Sequence, residues 1–222
     1  MACGILLDGP GGESFCSSCF SQIRFIASPL CPCCGIPMAG AGVDHLCGAC
    51  LVSRPPYAIA RAVARYESVL LDAIHAFKYK GKITTGEVLG KIMSDHVYPG
   101  FSIADYSLII PVPLHPKRLR ERGFNQAVIL AREISMRFSI PLDYLTLRRQ
   151  VFTEPQVNLG KDQRTANVRG AFAVKHEKKV QGQKIILVDD VFTTGSTVRE
   201  CAGALMAHGA AEVAVLTLAR AV

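Results

Sequence analysis

Two patterns in this chain bring together residue types that can do chemistry. The first is IILVDDVFTTGST, from Ile185 to Thr197: an apolar run, two adjacent carboxylates, then a tract of hydroxyls around one glycine. The apolar run Ile185–Val188 reads as a strand of a parallel sheet, and the residues from Val198 onward read as a helix. The turn between them holds Thr193, Thr194, Gly195, Ser196 and Thr197. Its hydroxyls and backbone N–H groups can line a phosphate, with the dipole of the following helix behind them. Gly195 allows the backbone to close around the oxygens. The tract lacks a Gly-Lys-Ser/Thr ending, which excludes a nucleotide P-loop. Carboxylates do not contact phosphate, so Asp189 and Asp190 suit neighbouring sugar hydroxyls or Mg²⁺. Together the two halves describe a sugar phosphate site. As a surface pair, the aspartates should contribute little to stability.

The second pattern is made of cysteines. Of the nine in the chain, eight fall before residue 55, and Cys201 alone lies beyond it. Cys31-x-x-Cys34 and Cys47-x-x-Cys50 are two knuckles of the kind that place four thiolates on one tetrahedral zinc. Gly35 and Gly48 follow a cysteine of each knuckle, where the backbone turns tightly. Four protein thiolates leave no open coordination position, so the expected zinc is structural, and residues before about 55 should lose their fold without it. Cys33 reads as a bystander. Cys16-x-x-Cys19 is a third knuckle, and Cys3-Gly4 resembles the tail of a fourth whose first cysteine would precede Met1. For Cys3, Cys16 and Cys19 three readings stand: a second zinc site clipped at its start, a site completed by another ligand, or free thiols. Cys201 lies on the apolar face of its helix and reads as core.

These residues must be held by two dissimilar regions. Residues 1–55 are rich in glycine and proline, show no sustained period and carry only two of the 25 lysines and arginines. Such a segment needs a staple to fold. From residue 56 to residue 222 the pattern alternates strands and amphipathic helices. Strands are expected at Tyr57–Tyr66, Leu108–Val112, Ile185–Val188 and Glu212–Leu218. Helices are expected at Val69–Tyr79, along the stripe Ala127, Leu130, Ala131, Ile134 and Phe138, and from Val198 through Leu205 to a stop at Gly209. This alternation predicts an α/β fold with a doubly wound parallel sheet, and the motif at Ile185 then lies at the carboxyl edge, where such sheets bind ligands. Half of the residues are apolar and the formal net charge is +7, which excludes a disordered chain and favours phosphorylated small molecules or nucleic acid over basic partners. General solubility is the bland reading of that charge. No window is long and apolar enough for a membrane helix, and no leader is evident, so a cytoplasmic protein without membrane insertion is expected.

Ile185–Thr197 resembles the phosphoribosyl pyrophosphate signature of type I phosphoribosyltransferases. The rest of the chain is similar to the ComF family of competence proteins: the cysteine-rich start, FKYKG at Phe77–Gly81, IIPVPLHPKRLRERGFNQA at Ile109–Ala127 and QRTANVRGAF at Gln163–Phe172. The resemblance implies a zinc-ribbon-like module over residues 1–55 and a phosphoribosyltransferase-like domain over 56–222. It places the ribose hydroxyls on Asp189 and Asp190, directly or through Mg²⁺, and the 5-phosphate on Thr193–Thr197. It also implies a pyrophosphate loop at Pro111–Arg118 with Lys117 and Arg118, and a closing loop that carries Arg164 and Arg169. Lys78 and Lys80 are weaker candidates, with surface lysines the equal reading. His115 stands between a proton-transfer role and a plain surface group.

Two functions follow. One is a phosphoribosyltransferase in which an acceptor displaces pyrophosphate through an oxocarbenium-like transition state, with no covalent nucleophile on the protein. The other is a binder of phosphoribosyl pyrophosphate and single-stranded DNA with little turnover, working in DNA uptake beside helicase-type competence proteins. For the second, Arg118, Arg120 and Arg122 would act together. Their spacing cannot share one helical face, so an extended segment is expected there. Phe77-Lys78-Tyr79-Lys80 interleaves aromatic and basic residues that could stack a base, and core packing explains the phenylalanine equally.

Overall fold

The computed structural model describes residues 6–9, 12–152 and 168–222. Along the chain, β1 (Leu6–Gly9) and β2 (Gly12–Phe15) form an antiparallel pair, followed by the short helices α1 (Ser17–Phe20) and α2 (Gly48–Val52). Then come β3 (Ile59–Arg65), α3 (Ser68–Lys80), α4 (Ile83–Asp95), β4 (Leu108–Pro111), α5 (Pro116–Arg122) and α6 (Gln126–Phe138). β5 (Leu147–Arg149) pairs antiparallel with β6 (Phe172–Val174), and β7 (Lys184–Phe192), α7 (Ser196–Ala207) and β8 (Glu212–Arg220) complete the described chain. The main sheet has the order β3-β8-β7-β4, with every pair parallel. This is the doubly wound parallel sheet that the alternating pattern predicts.

The pleat of the sheet sorts its side chains onto two buried faces. On one face Ile109, Ile186, Val188, Leu216 and Leu218 pack against Leu70, Ile74 and Phe77 of α3, Leu89 and Met93 of α4, and Leu130 and Ile134 of α6. On the other, Ile110, Ile185, Leu187 and Val215 pack against Val198, Cys201 and Leu205 of α7 and Phe172 of β6. Cys201 is therefore core, as its position on the apolar stripe implies. α4 has no counterpart in the sequence-based expectations, because Gly86 and Gly90 dilute its apolar stripe. The structure gives both a packing reason: an added Cβ at Gly86 would fall 2.4 Å from the Phe77 ring, and one at Gly90 would fall 2.6 Å from Cγ of Glu133 on α6.

The N-terminal segment is built into the second face. Cys31, Cys33, Cys34 and Cys50 belong to the same buried cluster as Tyr57, Phe192 and Val198. Backbone bonds join the segment to β3: Ala60 N donates to Cys33 O (2.7 Å), Ile26 N to Val63 O (2.9 Å) and Arg65 N to Arg24 O (2.9 Å). Gly35 marks the tightest approach. Its φ is +70°, and a Cβ there would lie 2.4 Å from the carbonyl oxygen of Ala60. The obstacle is backbone and cannot rotate aside. Gly35→Ala is therefore expected to cost about 2 kcal/mol or more, from left-handed strain plus overpacking. In a thermal melt this would lower the midpoint by about 5 °C or more. A midpoint equal to that of the native chain would show that the knuckle does not sit against β3 in this way.

Candidate functional site

The site arises from unequal strand lengths. β4 pairs with β7 only as far as Pro111 opposite Val188, whereas β8 follows β7 to Arg220 opposite Phe192. Residues 189–192 therefore continue β7 beyond its β4 neighbour at the carboxyl edge of the sheet, where Asp189, Val191 and Phe192 border a concavity. The strand does not stop at the carboxylates as expected but runs through them, and this separates them. Adjacent residues of a strand face opposite sides, so Asp189 and Asp190 project from opposite sides of β7.

Asp190 faces the α3 and α6 side and is only 4% exposed. Lys78 Nζ forms an ion pair with its Oδ2, and Gln126 Nε2 donates to its Oδ1 at 3.4 Å. Burial alone would raise the Asp190 pKa. The Lys78 charge and hydrogen bonds from Lys78, Asp189 and Gln126 outweigh it and hold the carboxyl below the ordinary range. Asp189 is half-buried, and its Oδ1 accepts the backbone N–H of Asp190 (2.9 Å). Burial and then the neighbouring Asp190 charge push its pKa well above the ordinary value. Asp190 is thus the more readily ionised of the two. The expectation that both are surface carboxylates fails for Asp190, whose removal would leave Lys78 as a buried cation.

After Phe192 the chain turns into α7. Gly195 adopts φ +78°, and a Cβ there would fall 2.6 Å from the tip of the Phe192 ring. Thr194 Oγ1 and Ser196 Oγ are hydrogen-bonded at 2.9 Å, and Ser196 N donates to Thr194 Oγ1 at 3.4 Å. Asp189 and residues 193–198 line a concavity of about 30 Å³ over the first turn of α7, whose leading N–H groups have no partners within the helix. The structure therefore brings Asp189, Thr193, Thr194, Gly195, Ser196 and Thr197 together, and sets Asp190 on the reverse side of the strand.

The basic cluster departs from expectation. Arg118, Arg120 and Arg122 lie on helix α5, not on an extended segment: His115 caps it by accepting from Lys117 N (3.2 Å), and Pro116 occupies its first turn. Arg118 and Arg122 are one turn apart and line a cavity of about 190 Å³ with Lys78, Tyr79, Gly81 and Glu121. Arg120 does not line it. Arg118 is also paired with Glu121 (3.1 Å). Lys117 points elsewhere, with Nζ 4.3 Å from the centre of the Phe152 ring. Arg164 and Cys3 lie outside the described residues, Arg169 is exposed, and Lys80 is exposed at the end of α3.

The motif RGFNQ now has a physical reading. Arg122 donates to Gln126 Oε1 (2.6 Å), Gly123 ends α5 in the left-handed region, and Phe124 stacks on Phe77 with ring centres 5.3 Å apart. Asn125 caps α6 by accepting from Ala127 N and also donates to Val112 O at the end of β4. Gln126 reaches Asp190. Lys78 had a sequence signal of its own: Leu70, Ile74 and Lys78 follow one another at i+4, so this lysine continues the buried stripe of α3 and needs an anion. Arg149 lacked such a signal. It lies beside Phe172 on β5 and borders, with His115, Pro116 and Leu119, a cavity of about 540 Å³.

The second cluster is Cys31, Cys34, Cys47 and Cys50, whose sulfurs all lie within 4.8 Å of one another. The Cys34 and Cys47 sulfurs are 3.7 Å apart, close to the roughly 3.8 Å edge of a tetrahedron with Zn–S bonds of about 2.3 Å. Cys31 Sγ accepts the N–H groups of Cys34 and Cys47 at 3.5 Å. Burial raises its pKa, but these backbone donors prevail and bring it down to about 6. The donor set fits a closed, structural zinc. Cys33 is buried but outside this group, and among the described residues Cys16 and Cys19 join no such cluster.

Residues 123–221 match the family model of the phosphoribosyl transferase domain, and residues 1–51 match that of the double zinc ribbon domain. Fold and sites thus define a phosphoribosyltransferase-type α/β domain carrying a zinc ribbon. The chain is 35% identical over 216 residues to the DNA utilization protein YhgH of Escherichia coli, covering 95% of this chain and 92% of that one. It is 32% identical over 213 residues to competence protein F of Haemophilus influenzae (94% and 91% covered), and 30% identical over 223 residues to competence protein ComFC of Bacillus subtilis (94% and 85% covered). It belongs to the ComF family. Among the described residues no helix is long and apolar enough to cross a membrane.

The ion pair under the site can be tested directly. Lys78→Met strands a buried carboxylate and is expected to cost about 3–5 kcal/mol at neutral pH. The sign of the pH dependence should also change. In the native chain the depressed Asp190 pKa gives stability that is present above the unfolded carboxylate range and lost as pH falls through the folded value. In the variant the Lys78 charge no longer opposes burial, the largest influence on Asp190, so that pKa rises and stability should fall as pH rises through it. Urea unfolding between about pH 4 and pH 8 is the check. Parallel profiles for the two proteins would contradict the pairing.

Proposed function

We propose that the carboxyl edge of the sheet binds phosphoribosyl pyrophosphate with Mg²⁺ and that the protein is a phosphoribosyltransferase. The observation that carries this reading is one edge of the sheet offering two unlike surfaces: a hydroxyl-lined helix start beside Asp189, and the cationic cavity of Lys78, Arg118 and Arg122. In this reading the turn 193–197 holds the 5-phosphate through backbone N–H groups and hydroxyls. Asp189 and Asp190 accept from ribose hydroxyls or hold Mg²⁺, which when bound would share the pyrophosphate's negative charge. Arg118 and Arg122 neutralise the leaving pyrophosphate as its bond to the anomeric carbon breaks and the acceptor's bond forms. Positioning and charge neutralisation are the main work of such a site. Cys3, Cys16 and Cys19 are proposed as ligands of a second zinc, in keeping with the double ribbon match.

The relatives' names favour a second reading, in which the protein serves competence or DNA use as a binder of single-stranded DNA. Arg120 and Lys117 of α5 lie outside the cationic cavity and would extend its positive surface. On that reading affinity for an oligonucleotide falls by about 0.7 log units per phosphate contact for each log unit of salt.

Calorimetry with phosphoribosyl pyrophosphate and Mg²⁺ tests the first reading. Asp189→Asn is chosen because Asp189, unlike Asp190, has no buried cation as its partner. It is expected to weaken binding about tenfold or more, or roughly 1.4 kcal/mol. Unchanged affinity would remove Asp189 from the site. Release of pyrophosphate on adding candidate bases or oligonucleotides separates the enzyme from the binder.

A further inference from the structure

Arg220 ends β8 deep in the protein, only 6% exposed. Nη1 donates to Cys34 O (2.8 Å), Nη2 approaches Cys34 Sγ (3.8 Å), and Nε is buried without a hydrogen-bond partner. Among the described residues the acidic groups that act most on this guanidinium include the zinc-site cysteines Cys34, Cys47 and Cys31. Arg61 is in a similar position. It is 4% exposed and donates to the carbonyls of Pro99, Pro32 and Ala60, with Asp44, Cys31, Cys34 and Cys33 as its acidic neighbours. Buried cations need a counter-charge. Four thiolates around one divalent zinc leave two net negative charges, which face Arg220 and which Arg61 shares with Asp44.

The opposite side of Arg220 touches the other site. Its guanidinium carbon lies 4.2 Å from the centre of the Phe192 ring. The tip of that ring fills the space where a Cβ of Gly195 would be, under the turn of residues 193–197. Arg220 also pairs with Phe192 in the ladder of β7 and β8. One side chain therefore stands between a zinc-ligand cysteine and the ring supporting the turn.

We propose that Arg220 is a positioning residue that couples the cysteine centre to the phosphate turn, so that zinc occupancy sets the shape of the turn and its affinity for phosphate. Zinc loss frees the knuckle of Cys34, whose carbonyl holds Nη1 of Arg220; Arg220 then shifts, and Phe192 no longer supports Gly195. The consequence for ligand affinity rests on the reading of the turn as a phosphate site; the coupling itself does not.

The test uses the full chain, zinc-loaded and zinc-free under reductant, with the chelator dialysed away before Mg²⁺ is added. Two readouts are followed: the amide resonances of Thr194, Gly195 and Ser196, and the affinity for phosphoribosyl pyrophosphate with Mg²⁺ by calorimetry. Zinc removal is expected to displace the three resonances and weaken binding about tenfold, within the usual range of coupling between sites. Zinc-loaded Arg220→Met should show the same displacement and hold zinc more weakly against a competing chelator. Arg220→Lys keeps the charge but loses the planar stack, so it should regain zinc affinity while its turn resonances remain displaced. Turn resonances unmoved in zinc-loaded Arg220→Met would overturn the coupling, and that comparison decides even if the zinc-free chain unfolds. A native protein that binds no phosphoribosyl pyrophosphate would overturn the reading of the turn instead, and the resonances would still decide the coupling.

Discussion

A buried ammonium facing a buried carboxylate fixes the relative placement of three elements. Lys78 comes from the last turn of α3, Asp190 from the overhanging end of β7, and Gln126 from the first turn of α6. An unpaired charge at this depth is costly, so the ends of the two helices and the strand settle together. The link continues outward: Arg122 holds Gln126, and Asn125 ties the start of α6 to the end of β4. The carboxyl edge of the sheet thus rests on a polar lattice. The same lattice makes Asp190 anionic while Asp189, one residue away, resists ionisation. Two carboxylates that look equivalent in the sequence acquire different chemistry from the side of the strand they face.

The main sheet was legible because its strands are buried on both faces and read as short apolar runs, each followed by a helical stripe. The four-cysteine cluster was legible because ligand spacing is a local property. What escaped depended on shape or on charge compensation. α4 was hidden by Gly86 and Gly90, whose value lies in letting helices approach and not in their own propensity. The basic stretch of α5 reads as extended from sequence when its three arginines are required to share one face. Helix geometry instead groups Arg118 with Arg122 and sets Arg120 apart. The separation of Asp189 from Asp190 follows from β7 running past Val188, a length set by pairing with β8 that no local pattern encodes. Arg220 carries no local signal, since the cysteine it bonds lies 186 residues away.

Each face of the sheet supports one half of the proposed ligand site. The helical face supplies Lys78, Arg118 and Arg122, and the face bearing the cysteine knuckles supplies Phe192 and the turn before α7. Position 189 lies on the second face and position 190 on the first. A ligand spanning the proposed site would meet groups from both cores at once.

The backbone bonds between the N-terminal segment and β3 also affect how the molecule behaves in company. β3 is an outer strand of a parallel sheet, and such a strand presents unpaired N–H and C=O groups that invite pairing with another chain. Here Phe25 bridges to Ala64, and Ile26, Cys33 and Arg24 take up the groups of Val63, Ala60 and Arg65. The opposite edge is closed in the same manner, with Ile109 N donating to Pro141 O and Asp143 N to Ile109 O. The cysteine-rich segment therefore acts as a selvedge that finishes the margin of the sheet.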